Sequence, residues 1–327
     1  MPPFPHPVSH HSPRRPAMAG PDAPGLDASG LDASWRRCGH DHGLDPFAPH
    51  MPPVLCGAEL RQCCQRAGNV LRHAETAMDR MRAMLSPLGY ATLLADADGV
   101  ILTHRIEAEQ RRGCRRWCLW PGAIWNEARE GTNAVGTSLA EGRSIAVHGA
   151  QHWRTALRGL ACVATPVHDA LGRVAGVINA SSFHPSDDGR EIALIAATVA
   201  QAARGIERMA FMDLYRGHAI MLLGEGTDGS VPMIAVDDER VVVGATHAAR
   251  VHMGIAPAQD LNFCLLDDTA GEDAEGGLRH AQKMAIRSAL ATARGKVAVA
   301  ARILGISRST LHRKLRMLGP PAAQPCH

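Results

Sequence analysis

The residues best equipped for chemistry lie in one short run, SRSTLHRKLR at 307–316. Arg308, Ser309 and His312 offer the donors and acceptors that read base edges in a major groove. Thr310, Arg313, Lys314 and Arg316 suit phosphate oxygens, contacts that fix register without carrying sequence information. The division follows from position, because the N-terminal residues of a recognition helix are the ones that reach bases. Ser307 supplies a capping oxygen for that helix.

These side chains need two short helices and a tight turn to present them. Val297, Ala300, Ala301 and Leu304 fall at helical spacing, and Gly305 then breaks the run. Small Ala300 and Ala301 let a second helix approach closely, Gly305 tolerates positive φ, and Ile306 plugs the corner. On the second helix Leu311, Leu315 and Leu318 recur at i, i+4 and i+7 and face inward. Residues 278–318 hold seven Arg and three Lys with no Asp or Glu. Charge alone fits any solvated basic hairpin; charge, turn and spacing together describe a helix-turn-helix and hence double-stranded DNA as a partner.

A second group lies in the irregular stretch 114–143, which contains three of the five Trp. Trp120, Trp125, Asn126, Glu127, Thr132, Asn133 and Thr137 combine aromatic walls with amides, hydroxyls and a carboxylate. That is the lining a small-molecule effector pocket requires. The competing reading is that Trp117, Trp120 and Trp125 anchor a long loop. Cys114 and Cys118, separated by three residues, and the adjacent Cys63 and Cys64 lack a second pair at zinc-ribbon spacing, so no metal site and no cofactor is expected. Ser138, His148 and Asp169 have the types of a hydrolytic triad but no nucleophile elbow, so no enzyme is expected either.

The elements around that stretch define the first part of the chain. Residues 1–33 are rich in Pro, His, Gly, Ala and Asp without periodicity and read as a disordered tail. Residues 34–86 lead in, with one amphipathic helix over 58–86 whose apolar face includes Leu71, Met78, Met81 and Leu85. From 87 to 211 the pattern is mixed. Strands are expected at 90–104 around a turn at Asp98-Gly99, at 144–148, and at 161–181 around Ala170-Leu171-Gly172, with a short helix at 150–159. A closing helix over 189–211 carries Ile192, Ile195, Ala196, Val199 and Ala203 on one face. This is an α+β sensor, an antiparallel sheet flanked by helices, followed by a small all-α helix-turn-helix domain. Between them lie a connector (212–258) and an acidic linker (259–277); the helix-turn-helix domain spans 278–319 and a tail 320–327.

The formal net charge is +3, yet the basic C-terminal block contributes +10, so the remainder is acidic by about seven. Such asymmetry suits a nucleic-acid module joined to a domain with another task. The N-terminus lacks the apolar core of a signal peptide, and no apolar run approaches the ~18 residues of a membrane span. Nine cysteines then fit a cytoplasmic protein with reduced thiols and no membrane partner.

The run AARILGISRSTLHRKLRMLG at 300–319 resembles the Fis-type helix-turn-helix of bacterial regulators. The preceding LRHAQKMAIRSALATARGKV resembles that family's leading helix, which implies a homodimer interface over 278–293 and two DNA half-sites about one helical turn apart. SWRRC and HGLDP within 34–46, LWPGAIWNEAREGTNAVGTSLAEGRSIAVHGAQHW at 119–153 and ATPVHDALGRVAGVINAS at 164–181 resemble the sensor of acetoin-catabolism activators. That resemblance implies a GAF-like domain over roughly 34–210 which binds a small effector. MIAVDDERVVVGA and THAARVHMG resemble part of a PAS domain.

Full-length activators of that family carry a central AAA+ ATPase. No G-x-x-x-x-G-K-[ST] phosphate loop occurs here, and the only lysines, Lys283, Lys296 and Lys314, lie in the basic block. The expected function is a ligand-responsive, sequence-specific transcriptional regulator of a catabolic operon. It would act without ATPase activity, by recruiting RNA polymerase, by occlusion, or through a full-length relative. The alternative is a signalling adaptor whose sensor binds a partner protein and whose DNA contacts are weak or lost.

Overall fold

A computed structural model describes residues 28–184, 189–257 and 259–264 apart from 225, 227, 228, 239, 260 and 262, then 286, 289, 290, 293 and 296–317. The tail before residue 28, most of the linker and leading helix, Leu318 and the C-terminal tail lie outside the described residues, as do the side chains of 313–317. The chain divides into two compact units, Met1–Leu265 and Leu266–His327.

The first unit is built on a five-stranded antiparallel sheet in the order β2-β1-β5-β4-β3. Its strands are β1 (Tyr90–Asp96), β2 (Ile101–Arg105), β3 (Ile145–His148), β4 (Ala161–His168) and β5 (Val174–Ser182). Strand β1 is buried along its whole length because both faces of the sheet are covered. Tyr90 and Leu94 point to one core with Ile178, Ala180 and Val163. Leu93 and Ala95 point to the other, with Val177 and Cys162. Gly99 at φ +81 and Gly172 at φ +79 turn the β1–β2 and β4–β5 hairpins.

Helices α2 (Gly57–Arg66), α3 (Gly68–Leu85) and α7 (Gly189–Leu214) cover the first face. The single helix expected over 58–86 is two, because the chain leaves helical geometry at Ala67 (φ −79, ψ 3) just before Gly68. Met78, Met81 and Leu85 of α3 meet Ile195, Val199 and Ala203 of α7 in the core, the face that the i, i+3, i+4 spacing marks.

The other face carries α1 (Ala28–Arg36), α4 (Arg111–Arg116), α5 (Glu127–Glu130) and α6 (Ala134–Glu141). Residues 28–33, expected in the disordered tail, are therefore helical: Leu31, Ser34 and Cys38 are buried at helical spacing. The short helix expected at 150–159 is instead two 3₁₀ turns, Gly149–Gln151 and Thr155–Leu157, with the buried segment His152–Arg154 between them.

Beyond α7 follow β6 (Ala219–Leu222), β7 (Met233–Val236), β8 (Val241–Ala245), α8 (His247–Met253) and β9 (Phe263–Cys264). Their strands form a four-stranded sheet in the order β6-β7-β8-β9. Phe211 and Tyr215 at the end of α7 pack with Ala170, Met233 and Ala235. The His168 ring stacks on His247 at 3.7 Å, and Glu207 Oε1 accepts the His168 backbone N–H at 2.8 Å and lies 2.7 Å from Nδ1.

In the second unit α9 (Val297–Ile303) and α10 (Arg308–Met317) meet through Ala300, Ala301 and Leu311, with Ile286, Ala289 and Ala293 in the same core. Gly305 at φ +64 makes the turn between them, and Ile306 packs beside it. No helix among the described residues is long and apolar enough to cross a membrane.

Candidate effector site and nucleic-acid interface

The loop 125–137 is shaped by its caps. Asn126 begins α5, and its amide Nδ2 donates to the Asp98 carbonyl at 3.4 Å. Asn133 caps α6: its Oδ1 accepts from Gly136 N at 2.9 Å and its Nδ2 donates to the Gly131 carbonyl. Gly136 leaves room for the backbone of Asn126 and Glu127, since a Cβ there would lie 2.4 Å from Glu127 N. The result is that Glu127, Thr132 and Thr137 converge, all three buried.

What they converge on is Ser34. Its hydroxyl donates to Glu127 Oε2 at 2.6 Å and lies 2.7 Å from Thr132 Oγ1 and 3.1 Å from Thr137 Oγ1. Ser34 has one proton, so the Thr132 hydroxyl donates to the Ser34 oxygen while Thr137 donates to Glu127 at 3.1 Å. Arg37, one turn on, grips the same carboxylate through Nε (2.5 Å) and Nη2 (3.1 Å) and reaches Glu141 at 2.7 Å. Hydrogen bonding to Glu127 raises the Arg37 pKa further above its ordinary value, so the guanidinium is a fixed charge. Cys38 Sγ sits 3.5 Å from Thr132 Oγ1, and burial pushes its thiol pKa up.

A second buried network lies beside the first. His50 Nδ1 is 2.7 Å from Glu130 Oε2 and its Nε2 is 3.0 Å from the Trp117 carbonyl. Arg154 Nε donates to the same Glu130 oxygen at 3.1 Å. Trp35 packs edge-on to Trp153 at 5.0 Å and donates its Nε1–H to the Gln151 carbonyl. The segment 34–50 thus closes over loop 125–154 through the Arg37 ion pairs, the His50–Glu130 hydrogen bond and an aromatic contact. His152, fully buried under it, has its pKa lowered to about 4 by desolvation.

Of the seven residues expected to line a pocket, three therefore meet at one point. Asn126 and Asn133 shape the backbone around it. Trp125 is buried in the core, donating Nε1–H to the Cys118 carbonyl and packing on His50. Trp120 stands apart, with its ring against His104 at 4.5 Å and Arg115 over it. Sequence reading missed Ser34, Arg37, Glu141, His50, Glu130 and Arg154. The SWRRC run was the one available signal, and nothing in it points to residues ninety positions away. Burial raises both the Cys114 and Cys118 thiols, Cys114 to about 12, which disfavours the reactive thiolate. Among the described residues no group of three His, Cys, Asp or Glu is arranged to hold a metal ion.

In the second unit Ser307 Oγ accepts the Thr310 N–H at 3.1 Å and lies 2.9 and 2.7 Å from the Ser309 and Thr310 hydroxyls. Ser307, Arg308, Ser309 and His312 are exposed on one end of α10, with Leu311 buried behind them. Arg313, Lys314 and Arg316 belong to the same helix; their side chains lie outside the described residues.

A GAF-like sensor on the same chain as a Fis-type helix-turn-helix defines a transcription regulator. The chain belongs to the family of the MimR N-terminal domain, whose family model matches residues 20–202; residues 277–318 match the helix-turn-helix of the bacterial regulatory protein Fis family. It is 31% identical over 222 residues to the acetoin catabolism regulatory protein of Cupriavidus necator, covering 67% of this chain and 33% of that one. It is 30% identical over 224 residues to the acetoin dehydrogenase operon transcriptional activator AcoR of Bacillus subtilis, covering 67% and 36%. The chain thus matches about a third of the length of these relatives. In fold it is similar to the E. coli DhaR(N)–DhaL complex structure, at a TM-score of 0.52 and 15% identity over 78% of this chain and 86% of that one. Between the two matched segments the sequence holds the second sheet and no phosphate loop.

Proposed function

We propose that this chain is a dimeric, ligand-responsive DNA-binding regulator of a catabolic operon that acts without ATP-driven remodelling of polymerase. The observation that carries the ligand-responsive part is the Glu127–Thr132–Thr137 centre held by Ser34 and Arg37. A buried carboxylate with three hydroxyls and a guanidinium is costly to desolvate, and an apolar core would serve stability as well. Its value lies in recognition: a small polar effector can take over the hydrogen bonds that Ser34 makes, and doing so releases the segment 34–50. Release and closure are then two states whose balance the effector shifts, to the extent that it binds one better.

The output is the exposed end of α10. Arg308, Ser309 and His312 read bases, and Ser307, Thr310, Arg313, Lys314 and Arg316 hold phosphates. The names of the two relatives attach them to acetoin catabolism, which supports a catabolic operon as the target here. The test is a gel shift of the full chain on duplexes from its own genomic neighbourhood, titrated with small alcohols, ketones and aromatics. Sequence-selective binding that an effector alters supports the proposal; no binding even at low ionic strength overturns it.

A second reading, a signalling adaptor, is favoured by the exposed apolar side chains Met84, Leu194, Met209 and Met212 on α3 and α7. The same surface suits a second copy of this chain. An adaptor shows neither sequence discrimination nor a steep salt dependence on DNA.

A further inference from the structure

On the opposite side of the central sheet from Glu127, a cavity of about 420 Å³ opens between α3, α7 and the residues that lead into β7 and α8. Its volume is within the range of small-molecule sites. Three arginines line it: Arg80 from α3, and Arg204 and Arg208 from α7. Among the described residues none of the three has an ion-pair or hydrogen-bond partner. Several other arginines of the sensor are paired, as Arg82 is with Glu107 on the same helix α3, Arg105 with Asp79, and Arg154 with Glu130; what sets these three apart is that they line one cavity.

Among the described residues the one carboxylate in the cavity wall is Glu207, and its Oε1 is already committed to the backbone N–H and ring of His168. Arg204 and Arg208 stand at i, i+4, a like-charge spacing that works against the helix. Arg80 adds a third positive charge from the neighbouring helix. Between the guanidinium groups the wall combines apolar Ala77, Met81, Ala202, Val231 and Met233 with polar Thr198, Gln201, Ser230 and Thr246. Positive charge over a partly apolar floor is complementary to an anion that carries a short apolar chain.

We propose that this cavity binds a small organic anion, a carboxylate or phosphate monoester on a short apolar chain, with its oxygens on Arg80, Arg204 and Arg208. The site is separate from the Glu127 centre and does not depend on that reading. It joins the sensor helices to the second sheet, so a bound anion ties α3 and α7 to the segment ahead of β7.

All five Trp lie between residues 35 and 153, so tryptophan fluorescence during thermal melting of the full chain reports on the sensor alone. The probes are hexanoate and butyl phosphate, with sodium chloride at matched ionic strength as control. A saturable rise of about 3 °C or more with either probe and not with chloride is expected. It should disappear in Arg80→Gln and Arg204→Gln and persist in the exposed Arg112→Gln. A response to one probe alone identifies the head group. No saturable rise with either probe, or a rise retained in both cavity variants, overturns the proposal. Glu225 and Asp228 in the adjoining segment lie outside the described residues, and Glu225→Gln/Asp228→Asn tests them as internal counterions. If that variant and the ligand-free arginine variants melt equally far below the parent, the counterion is the protein's own and the proposal fails.

Discussion

Arg37 and Glu127 set the energetics of the sensor's polar centre. The Glu127 side chain is 5% exposed and the Arg37 side chain 28%, so removing the arginine strands a carboxylate away from water. Arg37→Ala should destabilise the sensor by about 3 kcal/mol in urea titrations, and most of that loss should vanish in a Glu127→Gln background. Equal losses in both backgrounds would show that the two groups are not coupled. His152 makes a separate prediction about pH. Its pKa is lowered in the folded protein to about 4, below the ~6.5 of an unfolded chain. Between those values the unfolded state binds the extra proton, so stability is complete above about pH 6.5 and falls as pH drops toward 4. The loss attributable to this group is about 3 kcal/mol. His152→Asn, which retains a donor for the Gly149 carbonyl, should flatten the stability profile over that window.

Two glycines distinguish conformational strain from lack of space at the level of elements. Gly305 has φ +64 and open space where a Cβ would lie, so Gly305→Ala meets only backbone strain. A cost of about 1–2 kcal/mol to the helix-turn-helix is expected, measured by helical circular dichroism on heating. Gly131 has φ +69, and a Cβ there would lie 2.5 Å from the Trp153 side chain. It joins Glu130 of the His50 network to Thr132 of the Ser34 network. Gly131→Ala should therefore displace Trp153 and loosen both, with loss of the near-ultraviolet tryptophan signal. A folded variant with an unchanged tryptophan environment would refute that account.

At the scale of the whole molecule the chain combines a sensor, a second sheet and a basic helical module. Arg308→Ala should relax sequence preference on DNA, while Lys314→Ala should weaken binding to all duplexes alike and reduce the salt slope by about one. If the full chain binds as a dimer, moving two half-sites apart by about half a helical turn should abolish tight binding, measured by gel shift. Unchanged affinity across spacings would remove the paired-site geometry from the proposal.

Much of this architecture was legible from local pattern. The Ala300–Gly305–Leu311 spacing, the turns at Gly99 and Gly172 and the apolar stripe of α7 each follow from periods of two or 3.6 residues and from turn chemistry, which act over short stretches of chain. The break at Ala67 and the 3₁₀ turns around His152–Arg154 were not legible, because packing against the sheet overrides weak helical preference there. Still less so was the union of Ser34 with Glu127, Thr132 and Thr137. Those residues stand more than ninety positions apart, and no period links them. Only folding the N-terminal helix onto the far face of the sheet brings a hydroxyl, a guanidinium and a carboxylate within hydrogen-bonding distance, where burial makes each depend on the others.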